Sequence, residues 1–266
     1  MLSQITPLIL TYNEAPNLAR TLDRLAWARD IVVVDSLSTD DTRAIAARYP
    51  SVRIFERAFT THAEQWNFGL EQTGIRTDWV LALDADFVLT EDVVREIGAL
   101  SPPQDVDGYR ASFTYCIDGR PLRSAVYPPV TVLYRRARAN YRQDGHTQRV
   151  HVAGRVGDLS SRILHDDRKP LARWIGSQVK YMRLEAEKLS TTPASSLGVV
   201  DRVRRWIVVA PPAMFVHCLF VRGGIRDGWA GVYYALQRSA AELILSLSLA
   251  ERFVFGRRPA GRPSSH

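Results

Sequence analysis

The chain has 266 residues, of which 46% are hydrophobic and 24% are charged. This balance is typical of a globular protein, and the length allows one large core or one core with an appendage. Only Cys116 and Cys218 are cysteines, which excludes a disulfide framework or a cysteine metal cluster and fits a reducing compartment. We expect no signal peptide and no spanning helix, because no apolar run reaches ~18 residues.

The formal net charge of +7 is unevenly distributed. Residues 1–105 carry 9 Arg or Lys and 16 Asp or Glu, a net charge of −7, whereas residues 106–266 carry 26 and 12, a net charge of +14. The basic second half indicates an anionic partner such as phosphates, nucleic acid or an anionic membrane, although solvated arginine-rich surfaces would give the same count.

Short apolar runs alternate with helical patterns up to the Pro-Pro pair at 102–103. Such alternation is typical of βαβ units with a parallel sheet. The apolar runs predict strands at 5–10, 31–34, 52–55 and 79–83, and the helical spacing predicts helices from Pro16 and at 44–49, 63–72 and 91–100.

The pattern changes after residue 103. Runs at 109–115, 130–135 and 149–152 predict strands of a mixed sheet, and 163–167 predicts a short strand that runs into polar residues. Pro170 opens a predicted helix that extends to about residue 189. The chain is therefore divided into four predicted parts: a nucleotide-sugar-binding half at 1–105, an acceptor-side half at 106–190, an amphipathic helical extension at 191–256 and a disordered tail at 257–266.

Polar side chains follow three of the predicted parallel strands. Thr11, Asn13 and Glu14 follow the first strand, Asp35 ends the second, and Asp84-Ala85-Asp86 ends the fourth. Because ligands of open α/β sheets bind beyond the carboxyl ends of the strands, these side chains predict a nucleotide site. No glycine-rich phosphate loop is present, so we expect a divalent cation and side chains to hold a diphosphate.

Residues 5–97 resemble the family 2 glycosyltransferases, in particular the bacterial lipopolysaccharide-core glucosyltransferase group. The resemblance rests on four stretches in the same order: 10–14, 33–42, 65–70 and 79–86. It implies an α/β GT-A (nucleotide-diphospho-sugar transferase) fold, with a mixed, mostly parallel sheet flanked by helices and a C-terminal helical extension. In that group the Asp-Ala-Asp motif commonly continues with Glu, whereas this chain has Phe87.

The resemblance also implies the roles of individual residues. Asp86 would bind Mg²⁺ or Mn²⁺, with His165 as a further metal ligand or diphosphate contact. The other implied nucleotide-sugar contacts are Thr11, Asn13, Glu14, Asp35, Asn67, Asp84, His146 and Arg168.

Family members of this kind invert the anomeric centre, which requires a general base near the acceptor hydroxyl. Asp144 is the first candidate for this base and Asp166 is the alternative. A turn at Asp144-Gly145 would explain the first of these residues without catalysis.

The C-terminal third carries apolar stripes that are bordered by arginines. This pattern is typical of helices that lie on an anionic membrane, and helices packed on the domain or on a second subunit would also produce it. We therefore expect a cytoplasmic protein, peripheral on the inner face of the bacterial cytoplasmic membrane, that binds no nucleic acid.

The sequence thus predicts a metal-dependent inverting glycosyltransferase that moves a sugar from a nucleoside-diphosphate sugar, with UDP favoured. The acceptor would be a glycan or lipid-linked glycan of envelope polysaccharide or lipopolysaccharide synthesis. The alternatives are a sugar-1-phosphate nucleotidyltransferase and a non-enzymatic basic binding protein.

Overall fold

The computed structural model describes residues 1–144, 147–253 and 255–256, without the side chains of 143, 144 and 147. The described chain forms two compact units. The first comprises Met1–Leu122 and Val126–Lys169, and the second comprises Arg123–Ala125 and the described residues from Pro170 onward.

The first unit is built on a mixed sheet with helices on both faces. Its strands are β1 Ile5–Thr11, β2 Ile31–Asp35, β3 Val52–Glu56, β4 Trp79–Asp84, β5 Phe87–Val88, β6 Val106–Ile117, β7 Arg120–Pro121, β8 Val130–Arg135, β9 Ala139–Asp144, β10 Thr147–Val152 and β11 Arg155–His165. Its helices are α1 Leu18–Asp23, α2 Thr42–Ala46, α3 His62–Gln72 and α4 Glu91–Ala99, and short 3₁₀ turns cover Leu2–Gln4 and Arg136–Arg138.

The sheet order is β3-β2-β1-β4-β8-β6-β11-β5, with β7 paired to β6, while β9 and β10 form a separate antiparallel pair. Strands β1 to β4 run parallel. Strand β8 is antiparallel to both β4 and β6, and β5 is antiparallel to β11. The prediction of a mixed, mostly parallel sheet flanked by helices is therefore confirmed.

Strand β1 is buried on both faces because helices cover each side. Ile9 packs with Leu22 of α1 on one face, and Leu8 packs with Trp66 of α3 on the other. A Cβ at Gly69 would lie 2.8 Å from the Leu8 side chain, so α3 approaches the strand closely. Burying each such side chain contributes roughly 1.5–3 kcal/mol, and this packing fixes the strand ends that carry the polar residues.

The second unit is helical. Its helices are α5 Leu171–Thr191, α6 Val199–Arg204, α7 Ala210–Val216 and α8 Gly228–Phe253, with 3₁₀ turns at Ala194–Ser196 and Gly224–Asp227 and a π-helical turn at His217–Val221. Met182, Ala186 and Leu189 of α5 pack against Leu245 and Leu249 of α8. The sequence-based boundary at 190 groups α5 with the preceding half, whereas the structure packs it with α8. Across the described residues, no helix is long and apolar enough to span a bilayer.

Candidate active site

The polar residues that end β1, β2 and β4 lie side by side at one edge of the sheet. Thr11 pairs with Asp35 across β1 and β2, and Leu10 pairs with Asp84 across β1 and β4. The predicted convergence of three strand ends is confirmed. It follows from the parallel direction of these strands, which brings their carboxyl ends to the same edge.

The Asp35 carboxylate, fully buried, orders the loop that follows β2. One oxygen accepts hydrogen bonds from the hydroxyls of Thr11 (2.7 Å) and Ser38 (2.6 Å), and the other accepts the Ser38 N–H (2.7 Å). A carboxylate has about four acceptor positions, so about one remains for a further donor such as a nucleotide base.

Asn13 ties the loop after β1 to the loop after β2. Its backbone has a φ of +55°, in the left-handed region that Asn tolerates. Its N–H donates to the Ser38 hydroxyl at 2.7 Å, and its side-chain oxygen accepts the Thr39 N–H at 2.6 Å. Asn13 therefore shapes the rim of the site with its backbone and with its amide.

Glu14 lies between a lysine and an asparagine. The Lys169 ammonium is 2.8 Å from one carboxylate oxygen, and the Asn17 amide donates to the other at 2.9 Å. Burial raises the pKa of Glu14 to about 7 in spite of the opposing charge of Lys169. Burial alone would lower the pKa of Lys169, but Glu14, Asp86 and Asp167 together raise it.

The short strand β5 brings the second aspartate of the Asp-Ala-Asp motif to the end of β11. His165 pairs with Phe87, and the Asp166 N–H donates to the Asp86 carbonyl at 3.0 Å. This pairing places Nε2 of His165 3.2 Å from Oδ2 of Asp86. The His165 imidazole and the Asp86 carboxylate are therefore in direct contact, while the predicted role of His165 toward a metal or diphosphate stays a prediction.

Three aromatic rings hold the His165 imidazole. Its ring centroid lies 4.7 Å from that of Tyr127, 4.8 Å from that of Tyr115 and 5.2 Å from that of Phe87. Nδ1 of His165 is buried and has no hydrogen-bond partner in the described part of the chain. A buried polar atom without a partner costs about 1–3 kcal/mol, and a catalytic role or an ion is among its explanations. Phe87, where the resembling group has Glu, supports this imidazole by packing.

The pKa values of the two motif aspartates are shifted in opposite directions. Burial and then the charge of Asp86 raise the pKa of Asp84 to about 6. Burial also acts to raise the pKa of Asp86, but the charge and hydrogen bond of His165 outweigh it and lower the pKa to about 2. Burial acts to lower the pKa of His165, but the charge and hydrogen bond of Asp86 raise it above its ordinary value. Asp86 is therefore an ionised carboxylate.

The Asp166 carboxylate is surrounded by hydrogen-bond donors. One oxygen is 2.6 Å from Arg20 and 3.0 Å from Arg168, and the other accepts the Gly119 N–H at 2.9 Å. The Arg20 guanidinium also donates to the Asp166 carbonyl and to Asn17. These contacts indicate that Asp166 positions the Arg20 and Arg168 guanidinium groups rather than taking a proton from an acceptor.

Asn67 is not brought to the strand ends by any contact of the described residues. Its amide donates to the Tyr141 carbonyl at 3.0 Å and accepts the Tyr141 N–H at 2.8 Å, which holds α3 to β9. The side chain of Asp144, the predicted base, and the whole of His146 lie outside the described residues. Their predicted roles stay predictions.

The two side chains at the end of β11 and β5 fit a divalent cation that also binds phosphate. Oδ2 of Asp86 and Nε2 of His165 lie 3.2 Å apart as a hydrogen-bonded pair, so both could bind one cation only after the imidazole gives up the proton between them. The described residues hold no group of three or more metal-ligating side chains. Magnesium is commonly held by one or two carboxylates with substrate phosphates completing its shell, and Asp86 fits that role.

Several residues of the site have no recognisable signal in the sequence. Asn17 donates to Asp167 at 2.9 Å and accepts the Arg168 N–H, contacts that span 150 and 151 residues. Tyr127 lies in an irregular segment with no element pattern. Lys169 differs from these residues, because its place beside Arg168 in a polar cluster at the end of a predicted strand indicates from the sequence that both could meet the phosphates.

Glu14→Gln should change how the free energy of unfolding depends on pH. Because the pKa of Glu14 is raised in the folded state, its proton favours folding. The wild type therefore loses stability as the pH rises from about 4.5 to about 7, by about 3 kcal/mol at most, whereas the glutamine of the variant does not titrate. Urea unfolding at pH 5, 6, 7 and 8 should show the variant gaining stability relative to the wild type as the pH rises.

The control is Glu71→Gln, which removes an exposed carboxylate from α3. The difference in free energy of unfolding between this variant and the wild type gives the effect of removing a surface charge. A stability difference for Glu14→Gln that stays constant across the four pH values would contradict the raised pKa.

The family model described as Glycosyl transferase family 2 matches residues 8–160. The lipopolysaccharide core biosynthesis glycosyltransferase LpsC of Rhizobium meliloti (strain 1021) is 26% identical over 274 residues, covering 96% of this chain and 95% of LpsC. An uncharacterized glycosyltransferase of Rickettsia bellii is 30% identical over 144 residues, covering 52% of this chain and 48% of that protein. The chain thus spans nearly all of LpsC but about half of the Rickettsia protein.

Among solved structures, residues 1–349 of S. aureus TarS in complex with UDP-GlcNAc align with a TM-score of 0.49 and 14% sequence identity. The alignment covers 97% of this chain and 93% of that one.

Proposed function

Because the chain belongs to glycosyl transferase family 2 and is a glycosyltransferase, we propose that it has the GT-A fold and transfers a sugar from a UDP-sugar with inversion and with Mg²⁺ or Mn²⁺. The acceptor would be a glycan or lipid-linked glycan of the cell envelope. Lipopolysaccharide is the preferred product class, since LpsC, which aligns over nearly its whole length, is a lipopolysaccharide core glycosyltransferase.

The observation that carries this proposal is the negative charge of the strand-end site. Asp84, Asp86 and Glu14 converge there, and Lys169 is the cationic side chain that opposes them. Asp167 adds a further carboxylate 3.6 Å from Lys169. A nucleoside diphosphate is itself an anion, so its binding here calls for a cation, which Asp86 and His165 can hold.

A divalent cation, when bound, supplies Lewis-acid stabilisation of the negative charge that develops on the leaving diphosphate. The residues of the chain supply the rest. Thr11, Asn13 and Asp35 would line the base and ribose, and Asp84 would contact the ribose side. Lys169, with its raised pKa, is a cation that can meet a phosphate oxygen.

A general base on the acceptor side completes direct displacement. Asp144 is the proposed base, because it ends β9 in the hairpin with β10 and because the oxygens of Asp166 are engaged by arginines and a backbone N–H.

The proposed location is the cytoplasmic face of the bacterial inner membrane, to which the chain would bind as a peripheral protein. The charge of +14 on residues 106–266 and the amphipathic helices of the second unit support this location.

A screen of nucleotide sugars by thermal unfolding tests the proposal. A ligand that binds only the folded state raises its stability by about 2.7 kcal/mol at a hundredfold excess over Kd. We expect UDP-sugars with Mn²⁺ to raise Tm, and the donor that does so to yield a product of inverted anomeric configuration with a cell-envelope glycan acceptor. Stabilisation that is equal in EDTA, or a product of retained configuration, would contradict the proposal.

Family membership favours this reaction over the two alternatives. A sugar-1-phosphate nucleotidyltransferase would release pyrophosphate from a nucleoside triphosphate, and a basic binding protein would bind nucleic acid with a steep dependence on salt. The same unfolding screen, run with UTP and with DNA, distinguishes them.

A further inference from the structure

The second unit exposes an apolar stripe along α7 and the π-helical turn that follows it. Val209, Ala213, Val216 and Phe220 recur at spacings of three and four and are all exposed, with exposed fractions of 44% for Val209 and 59% for Phe220. This spacing places them on one side of a helix. Apolar side chains are normally turned inward in such a pattern, so the outward stripe requires an explanation.

Large apolar side chains extend the stripe at both of its ends. Trp206 and Val208 precede α7 and are 63% and 83% exposed. Val221, Ile225 and Trp229 follow Phe220 and are 71%, 60% and 75% exposed. These residues and the stripe together are called the apolar face below. The apolar face thus lies within one stretch of the chain, from residue 206 to residue 229, and large exposed apolar surfaces mark interaction sites.

Close backbone packing holds the C-terminal end of the apolar face in place. A Cβ at Gly231 of α8 would lie 2.0 Å from the Gly224 carbonyl oxygen, and a Cβ at Gly224 would lie 2.7 Å from the Cys218 carbonyl oxygen. Gly223, with a φ of +78°, makes the turn between them. The chain that carries Phe220, Ile225 and Trp229 is therefore fixed against α8 rather than free to fold inward.

The charges around the apolar face are positive. No acidic residue occurs between Arg202 and Arg226, and the arginines at 202, 222 and 226 are exposed. Asp227, the next acid, has one oxygen committed to the Ser124 hydroxyl at 2.7 Å and to the Arg123 and Ser124 N–H groups at 3.0 Å. An apolar stripe with tryptophan at each end and arginine beside it is complementary to an anionic lipid interface.

We infer that the apolar face lies in the headgroup region of an anionic bilayer, with Trp206, Val208, Phe220, Val221, Ile225 and Trp229 inserted and the exposed arginines on the lipid phosphates. This deepens the peripheral location given under the proposed function and rests on it. It also identifies the lipid-contacting residues, none of which belongs to the strand-end site. The orientation is that of a helix lying in the plane of the interface.

Co-sedimentation with vesicles tests this assignment. The probes are phosphatidylcholine vesicles with 30% phosphatidylglycerol and vesicles of phosphatidylcholine alone, at 0.1 M and 0.5 M NaCl. We expect the wild type to bind the anionic vesicles, more weakly at high salt, and Phe220→Ser/Trp229→Ser to bind them at least about tenfold more weakly, since two large apolar side chains no longer insert. Leu184→Ser, at a 41% exposed leucine of α5, is the matched control and should bind as the wild type does.

The same proteins separate this inference from the proposed function. The affinity for UDP in Mn²⁺ should be equal in the wild type and the double variant. If the wild type does not bind UDP, that result counts against the proposed function alone. Equal binding of wild type and double variant to anionic vesicles would overturn the assignment. A wild-type dimer that the double substitution converts to a monomer in light scattering would also overturn it, because the apolar face would then be a subunit interface.

Discussion

Asp86→Asn is expected to lower kcat by about 10³-fold. The neutral amide removes the ionised oxygen that lies 3.2 Å from the His165 imidazole, so the cation loses a charged ligand. A bound divalent cation contributes several kcal/mol to stabilising the leaving group, and about 4 kcal/mol corresponds to 10³ in rate. The measurement is steady-state release of UDP from the donor identified by the unfolding screen, with acceptor present.

Asp92→Asn is the matched control for that substitution. Asp92 lies in the first turn of α4 with a 73% exposed side chain, so the same chemical change there should leave kcat within about twofold of the wild type. If the Asp86→Asn enzyme kept more than a tenth of the wild-type kcat, Asp86 would not be a ligand of the catalytic cation.

The variants Asp144→Asn and Asp166→Asn should distinguish a general base, whose loss lowers kcat, from a structural carboxylate, whose loss lowers the free energy of unfolding. Loss of a general base costs about 10²–10⁴ in kcat, and we expect this loss for Asp144→Asn with little change in unfolding. Asp166→Asn should instead lower the free energy of unfolding by about 3 kcal/mol, because Arg20 and Arg168 lose the buried carboxylate between them. Urea unfolding and kcat, measured on both variants below their Tm, give the comparison.

An exposed acid of the first unit gives the control for both substitutions. Asp41→Asn replaces an exposed carboxylate beside α2 and should change neither quantity substantially. If Asp166→Asn kept wild-type stability and lost kcat by 10² or more, Asp166 would be the base and its arginine contacts would not be positioning contacts.

The strand-end half of the site could be predicted because its residues are close in sequence to features with a simple pattern. The run 79–83 reads as a buried strand, and Asp84 and Asp86 follow it directly. The parallel direction of β1, β2 and β4 then aligns Thr11, Asp35 and Asp84 without further information. Local pattern and topology were sufficient for this half.

The other half depends on long-range contacts. Strand β11 spans Arg155–His165, but only its end from Ile163 to His165 has a strand pattern, because Asp158, Ser160 and Ser161 interrupt the apolar pattern. The register of β11 on β6 shifts between Asp158 and Arg162, so polar residues fit there. The predicted strand was therefore too short, although its His165 end was correct.

The partners of Asp166 and Glu14 illustrate the same limit. Arg20 and Asp166 are 146 residues apart, and Glu14 and Lys169 meet only because β11 ends beside the loop after β1. Charge pairs between residues so far apart leave no periodic pattern and no motif in the sequence. The two-residue strand β5 was also missed, since Phe87-Val88 is too short to give a pattern.

Titration of UDP into the protein by calorimetry, in Mn²⁺ and in EDTA, tests the central claim most directly. The wild type should bind UDP at least about a hundredfold more tightly with Mn²⁺, a difference of about 2.7 kcal/mol, and Asp86→Asn should abolish that difference. Equal affinity of the wild type for UDP in Mn²⁺ and in EDTA would contradict a metal-dependent nucleotide-sugar site at Asp86 and His165.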